Sequence, residues 1–335
     1  MSGERILLAH GGGGRTARDL LEKVIVPVFD NPQLECMEDS SLLPATSYRM
    51  VMTTDSYVVK PLFFPGGDIG KLSICGTVND LATAGANPVA LSAGFVIEEG
   101  LSVEDLRKIV CSMKETADSI PVPIITGDTK VVERGKGDGI YITTAGIGSV
   151  PEGVQLRPKR VEPGDVVLIN GPIGNHEAAI LCAREDFSLG APVCSDWAPL
   201  HRLMEAVLVA VPETKCARDA TRGGLGAVLT EIAESTGYGI RLEEECISIE
   251  DTVQGLCELL GMDPLFMANE GRMVILVPEE KAEICLRAMQ RVPGSESSRI
   301  IGRVHDGIAR LTLNTRYGTS RIVTLPAGVQ LPRIC

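Results

Sequence analysis

The chain ends on a thiol, Cys335, which closes the tetrapeptide Pro332-Arg333-Ile334-Cys335. A thiolate is a strong nucleophile, and a chain terminus is where the backbone is least constrained. Such a sulfur suits a tethered acceptor, loaded by one partner and carried into an active site on the same protein. Taken alone, an inert exposed cysteine is the commoner reading. Three aspartates bear on what that active site holds. Asp55 sits in Thr53-Thr54-Asp55-Ser56, Asp80 follows Asn79, and Asp128 sits in Thr126-Gly127-Asp128-Thr129. Carboxylates at the same ends of neighbouring strands converge, and such hard oxygen ligands suit Mg²⁺ with its phosphates. Singly, each is more often a cap or turn residue. Lys130 adds a positive charge two residues beyond Asp128, useful against developing phosphoryl charge, or is simply a solvated lysine.

Two glycine-bearing turns face the same chemistry. His10-Gly11-Gly12-Gly13-Gly14-Arg15-Thr16 joins a strand pattern to a helix pattern, so backbone N–H groups and a helix N-terminus can converge on an anion. Asp219-Ala220-Thr221-Arg222-Gly223-Gly224 is a second anion-facing turn before a helix, or a plain N-cap. Neither is a Walker A loop or a dinucleotide fingerprint. The nearest imitation, Pro65-Gly66-Gly67-Asp68-Ile69-Gly70-Lys71-Leu72, has proline where glycine is needed and leucine where a hydroxyl must reach the metal. Glu270, in Asn269-Glu270-Gly271, is a proton acceptor or a turn residue. His176, His201 and His305 share no ligand spacing and read as structural or surface residues.

The elements that must position these groups alternate along the first half. Strand patterns cover residues 5–9, 50–54, 89–98, 122–126 and 140–150, and helix patterns cover 16–29, 68–86 and 103–119. In the last, Leu106, Ile109, Val110, Met113 and Ala117 repeat at helical spacing. A Pro- and Gly-punctuated stretch, 151–164, marks a boundary. Beyond it come strands at 166–170, 239–242 and 273–277, helices at 174–183, 199–211, 223–235 and 279–290, and a closing segment at 299–313. Residues 321–335 contain two prolines and no helical period, so an extended, mobile tail is expected. The division is therefore 1–152, 153–320 and 321–335, and the class is α/β (α+β) in two domains.

Composition narrows the function. The 335 residues are 44% hydrophobic and 23% charged, which suits a packed globular protein. A net charge of -12 and only 4% aromatic residues disfavour nucleic acid, which demands counterion release or stacking platforms. No run approaches the roughly 18 apolar residues of a membrane helix. The ten cysteines include no CxxC pair, against a zinc ribbon or thioredoxin-type site, and suit the reducing cytosol.

In combination these stretches resemble the HypE family of hydrogenase maturation factors, within the PurM-like ATP-binding superfamily that includes AIR synthetase. The resemblance rests on Leu8-Ala9-His10-Gly11-Gly12-Gly13-Gly14, Thr53-Thr54-Asp55-Ser56-Tyr57, Phe63-Phe64-Pro65-Gly66-Gly67, Gly76-Thr77-Val78-Asn79-Asp80 and Thr126-Gly127-Asp128-Thr129-Lys130. The second half adds Asp219-Ala220-Thr221-Arg222-Gly223-Gly224, Asn269-Glu270-Gly271 and the terminal Pro332-Arg333-Ile334-Cys335. It spans the whole chain, and the terminal cysteine is its most specific element.

The resemblance implies a two-domain PurM-like fold, N-terminal halves paired in a homodimer, and ATP with Mg²⁺. It implies that a HypF-type carbamoyltransferase loads Cys335. The chain then dehydrates the thiocarboxamide to a thiocyanate, and a HypC–HypD complex accepts the cyano group. Asp55, Asp80 and Asp128 would bind the metal. His10, Gly11, Gly12, Gly13, Gly14, Asn79, Asp219, Thr221 and Arg222 would meet the nucleotide, and Lys130 and Glu270 would handle charge and protons. The rivals are another ATP-using enzyme of the superfamily, such as selenophosphate synthetase, and a non-catalytic metal chaperone using Cys335 as a soft ligand. Selenophosphate synthetase uses a reactive Cys or selenocysteine near its glycine loop, whereas the first cysteine here, Cys36, lies well past that loop. No clustered His/Cys spacing supports the chaperone.

Overall fold

The computed structural model describes residues 14–20, 22, 41–42, 49–185, 192–326, 328 and 333–335. The strand expected at 5–9, most of the helix expected at 16–29, and His10 to Gly13 lie outside the described residues. Of that first helix, Arg15–Leu20 is described.

Two mixed sheets organise the protein. The first holds β1 (Ser41–Leu42), β2 (Arg49–Tyr57), β5 (Asn87–Glu98), β6 (Ile124–Val132) and β7 (Ile140–Val150), in the order β1-β2-β7-β5-β6. A two-stranded hairpin, β3 (Phe63–Phe64) with β4 (Gly67–Asp68), stands beside it. The second sheet takes β8 (Val166–Ile169), β9 (Cys216–Asp219), β10 (Gly239–Glu243), β11 (Met273–Val277), β12 (Arg299–His305), β13 (Leu311–Asn314) and β14 (Ser320–Val323). Its order is β14-β13-β10-β12-β8-β11-β9. β8 and β11 are buried at every position, as their unbroken apolar runs dictate for strands covered on both faces.

The helix Ile69–Thr83 links the two halves. Asp68 caps it, accepting from the backbone N–H groups of Gly70 at 2.8 Å and Lys71 at 3.1 Å. Leu72, Ile74, Cys75, Val78 and Leu81 are all fully buried on it, so it is apolar around most of its circumference and lies inside the protein. Gly76 lets it approach β2: a Cβ there would meet the Tyr57 hydroxyl at 2.2 Å. The helix Val103–Ser119 packs beside it, capped by Ser102 and carrying Glu104 and Asp105 in its first turn, where the helix dipole favours them.

Some elements depart from the sequence reading. β6 runs to Val132 rather than stopping before Asp128, because its parallel pairing with β5 continues to Glu98↔Val132. A helix at Asp251–Leu260 escaped the reading. The tail segment opens as a strand, β14, paired antiparallel to β13.

Candidate active site

Strand β2 sets one wall. Thr53, Asp55 and Tyr57 alternate onto the face that meets the helix Ile69–Thr83, where Thr53 and Tyr57 are buried and Asp55 is half-buried. Asp80, one turn from the end of that helix, accepts from the Thr53 hydroxyl at 2.6 Å. Asp55 accepts from the backbone N–H of Ser56 at 2.8 Å. Asp55 and Asp80 therefore line one crevice between strand and helix.

Asp128 does not join them. Asp55 stands opposite Thr144, Thr144 opposite Ala93, and Ala93 opposite Gly127. Asp128 is one residue on, so its side chain leaves the other face of the sheet, and β6 is three strands from β2, about 14 Å at the usual spacing. Lys130 shares that outer face and pairs with Asp128 at 2.6 Å, both side chains 67% exposed. The convergence of three carboxylates expected from the sequence is thus absent within one chain. The reason is strand order: β7 and β5 intervene. Among the described residues no group of three or more His, Cys, Asp or Glu is gathered to hold a metal ion. Asp55 and Asp80 supply a pair of hard oxygen donors on one crevice, which fits part of a Mg²⁺ shell.

The second half supplies the opposite wall. Asp219 ends β9 and Arg222 follows, on the turn before the helix Gly224–Thr236. The Gly224 N–H bonds the Thr221 carbonyl at 2.9 Å, closing that turn. Glu270 precedes β11 and is buried. Its N–H donates to Asp196 Oδ1 at 3.1 Å, and Asp196 in turn faces Arg272 at 3.3 Å. Gly271 is required beside it, since a Cβ there would meet the Asp196 carbonyl oxygen at 1.9 Å. Glu270 Oε1 is buried with no hydrogen-bond partner among the described residues, an acceptor aimed into the site. Burial, reinforced by Asp55, Asp196 and Asp219, pushes the Glu270 carboxyl well above the usual range, with Arg222 opposing.

The chain terminus lies in this site. The backbone N–H of Val58 donates to the terminal carboxyl of Cys335 at 3.0 Å, and that of Lys60 to the Arg333 carbonyl at 3.2 Å, so the tail extends the β2 wall. Ile334 is buried in the apolar cluster that holds Tyr57, Val59 and Phe64. Arg333 pairs with Asp138, which Lys60 also contacts at 3.0 Å. Arg184 Nη2 donates to the carbonyls of Lys60 and Arg333, both at 2.7 Å. The Cys335 sulfur lies close to the Glu270 carboxyl. Burial pushes the thiol well above its ordinary value; Arg222 pulls it down, and Glu270 and Asp55 push it further up. The docked sulfur is therefore a neutral thiol, not a thiolate. The Arg222 guanidinium lies beside Cys335 and is the nearby positive charge.

Asn79, expected to meet a nucleotide, is buried and bonded to protein backbone. Its amide donates to Ala198 at 3.0 Å and to the Glu270 carbonyl at 3.3 Å, and its oxygen accepts from the Leu200 N–H at 2.7 Å. Gly14, the described end of the glycine loop, lies near the start of the tail: a Cβ there would stand 3.1 Å from the Pro326 carbonyl oxygen. Sequence reasoning missed His176, taken as structural or surface, which contacts the tail; nothing in its local sequence signals this.

The protein-family description "AIR synthase related protein, N-terminal domain" matches residues 37–150, and "AIR synthase related protein, C-terminal domain" matches residues 162–313. The carbamoyl dehydratase HypE of Rhodobacter capsulatus is 48% identical over 335 residues, covering 99% of this chain and 98% of that one. Among solved structures, the HypE–HypF complex superposes with a TM-score of 0.88 at 48% identity, over 92% of this chain and 99% of that one. The structure of the hydrogenase maturation protein HypE in complex with ATP gives 0.84 at 40% identity, over 99% and 100%.

Proposed function

The chain belongs to the HypE family, built on the AIR synthase related fold, and from that premise we propose that it is an ATP-dependent carbamoyl dehydratase acting on its own Cys335. The observation that carries this reading is the docked tail, which sets the Cys335 sulfur close to a buried carboxyl, Glu270, beside Arg222 and the Asp55–Asp80 crevice. A HypF-type partner loads the sulfur with a carbamoyl group, which requires the tail to leave the site, because the docked thiol is held in its weakly nucleophilic neutral form. Once carbamoylated, the sulfur has no proton to lose, and a neutral thiocarboxamide suits the acidic pocket that disfavours a thiolate.

ATP, when bound, supplies a phosphoryl group to the carbamoyl oxygen and so turns a poor leaving group into phosphate. Loss of both N–H protons with that oxygen leaves S–C≡N on Cys335, the source of a cyanide ligand for a HypC–HypD complex. Glu270 removes a proton from nitrogen: its raised basicity suits that task near neutral pH. Arg222 offsets negative charge beside the reacting carbon. Asp55 and Asp80 would hold Mg²⁺, with Asp219 and Thr221 on the nucleotide side and Gly14 closing the glycine loop; His10 to Gly13 stay assigned from sequence.

Asp128 and Lys130 serve this site from a second copy. The outer face of the first sheet carries Met52, Val96, Asp128 and Lys130 exposed, and β6 is its edge, so a second copy covering face and edge gains both apolar area and ladder bonds. The division into domains 1–152 and 153–320 with a carrier tail is part of the same proposal, as is action in the cytosol.

The test is ATP turnover. The carbamoylated chain hydrolyses ATP, whereas the unmodified chain and Cys335→Ala do not. Equal turnover by all three overturns the reading in favour of an enzyme with a free small-molecule substrate.

A further inference from the structure

One turn of helix bonds both the tail and the segment that leads into the acid. His176, in the first turn of the helix Asn175–Glu185, is fully buried. Its Nε2 lies 2.6 Å from the Ile334 carbonyl oxygen, and its Nδ1 lies 2.7 Å from the Ser195 hydroxyl. A carbonyl only accepts, so Nε2 carries the hydrogen. Burial lowers the ring's pKa and keeps it neutral, which leaves Nδ1 to accept from Ser195. The ring plane is fixed as well: Phe64 meets it edge-on at 5.6 Å, and Ser195 is tied to Pro65 through its N–H at 2.9 Å.

The next residue grips the acid-bearing segment. Glu177 Oε2 accepts from the Ala268 N–H at 2.7 Å, and the Glu177 N–H returns a bond to the Ala268 carbonyl at 3.3 Å. The Gly174 N–H donates to Asn269 Oδ1 at 2.8 Å. The run from Gly174 to Glu177 thus holds Ala268 and Asn269, which lead directly into Glu270, and at the same time the residue before Cys335.

We propose that this turn registers the Cys335 sulfur against the Glu270 carboxyl, with His176 as the positioning residue for the tail and Glu177 as the positioning residue for the acid-bearing segment. Neither touches the reacting atoms. Their effect is to convert a freely diffusing chain end into a near-attack arrangement, where small displacements cost large factors in rate. The role in dehydration rests on the reading given under Proposed function; the docking of the tail does not.

Docking is measured without ATP or any carbamoyl donor, so its failure and that of the dehydratase reading are separable. The full chain is alkylated with iodoacetamide, and modification of Cys335 is followed on the C-terminal peptide by mass spectrometry. His176→Phe keeps the apolar volume and loses the donor, and should raise the alkylation rate about tenfold, the effect of one lost buried hydrogen bond on the open population. His176→Gln places an amide N–H near the position of Nε2 and should stay within about twofold of the parent chain. Ser195→Ala removes the donor that sets the tautomer and should raise the rate about threefold; it carries the test if His176→Phe does not fold. Unchanged rates in the Phe and Ala variants, or a Gln variant as fast as Phe, would overturn the assignment.

Discussion

Asn79 donates to the main-chain carbonyl of Glu270, so the helix between the two sheets holds the acid of the candidate site by its backbone. With its other hydrogen on Ala198 and its oxygen on the Leu200 N–H, this side chain stitches the first half to the second. Asn79→Ala strands two buried backbone groups, on Glu270 and Leu200, and a half-buried one on Ala198. It should cost on the order of 3 kcal/mol of stability in urea unfolding. A cost below about 0.5 kcal/mol would mean that these three bonds do not hold the two halves together.

Glu177 makes stability depend on pH. Burial raises its carboxyl to about 7 in the folded chain, against 4.5 as the ordinary value. The folded state therefore binds more protons between those values. The contribution is fully present below pH 4.5 and is lost as pH rises through about 7. Glu177→Gln should cancel that loss, gaining on the order of 3 kcal/mol relative to the parent between pH 4.5 and pH 8. Parallel stability curves for the two proteins would contradict the shift.

The Asp55–Asp80 crevice should report on metal. Asp80→Asn keeps the bond to Thr53 but loses a charge, so affinity for Mg-ATP should fall at least about tenfold in calorimetry, with metal-free ATP less affected. Equal losses with and without Mg²⁺ would take Asp80 out of the metal shell.

Placement of Lys130 on the outer sheet face makes a mixing experiment decisive. Lys130→Ala and Cys335→Ala chains should each be inactive alone and regain dehydration when refolded together, because one copy then offers the lysine and the other the sulfur. Continued inactivity of the mixture, with hybrids shown to form, would mean that Lys130 acts within its own chain.

What was legible in sequence follows the range of the physics involved. The helix Val103–Ser119 is legible to the residue, because the spacing of its apolar positions is local. β11 was read equally well from an unbroken β-branched and apolar run. The helix Asp251–Leu260 was missed: ten residues containing Thr252, Val253 and Gly255 carry little intrinsic helix preference, and packing of Val253, Leu256 and Cys257 sustains it. For the site, Asp55, Arg222 and Glu270 stand out at turns and strand ends, Asp80 within its helix, and Cys335 as the last residue. Asp128 and Lys130 were placed with them because strand order and side-chain face are invisible in one sequence. His176 carried no signal, since its partner lies 158 residues away.

The Glu270 carboxyl gives the reaction a pH dependence. As the proton acceptor it must be ionised, and burial holds its pKa well above the ordinary value, so single-turnover dehydration should rise with pH through that raised pKa. Glu270→Gln should flatten the profile and lower the rate at least about 100-fold. A profile shared by both proteins would assign the proton to another group.

The central claim is that the docked terminal sulfur carries the group being dehydrated, and intact-mass spectrometry tests it most directly. The S-carbamoylated chain, incubated with Mg-ATP, should lose the mass of one water, with the change confined to the peptide ending in Cys335. A carbamoyl adduct that persists on Cys335 under those conditions, or a cyano adduct that forms on the Cys335→Ala chain, would contradict it.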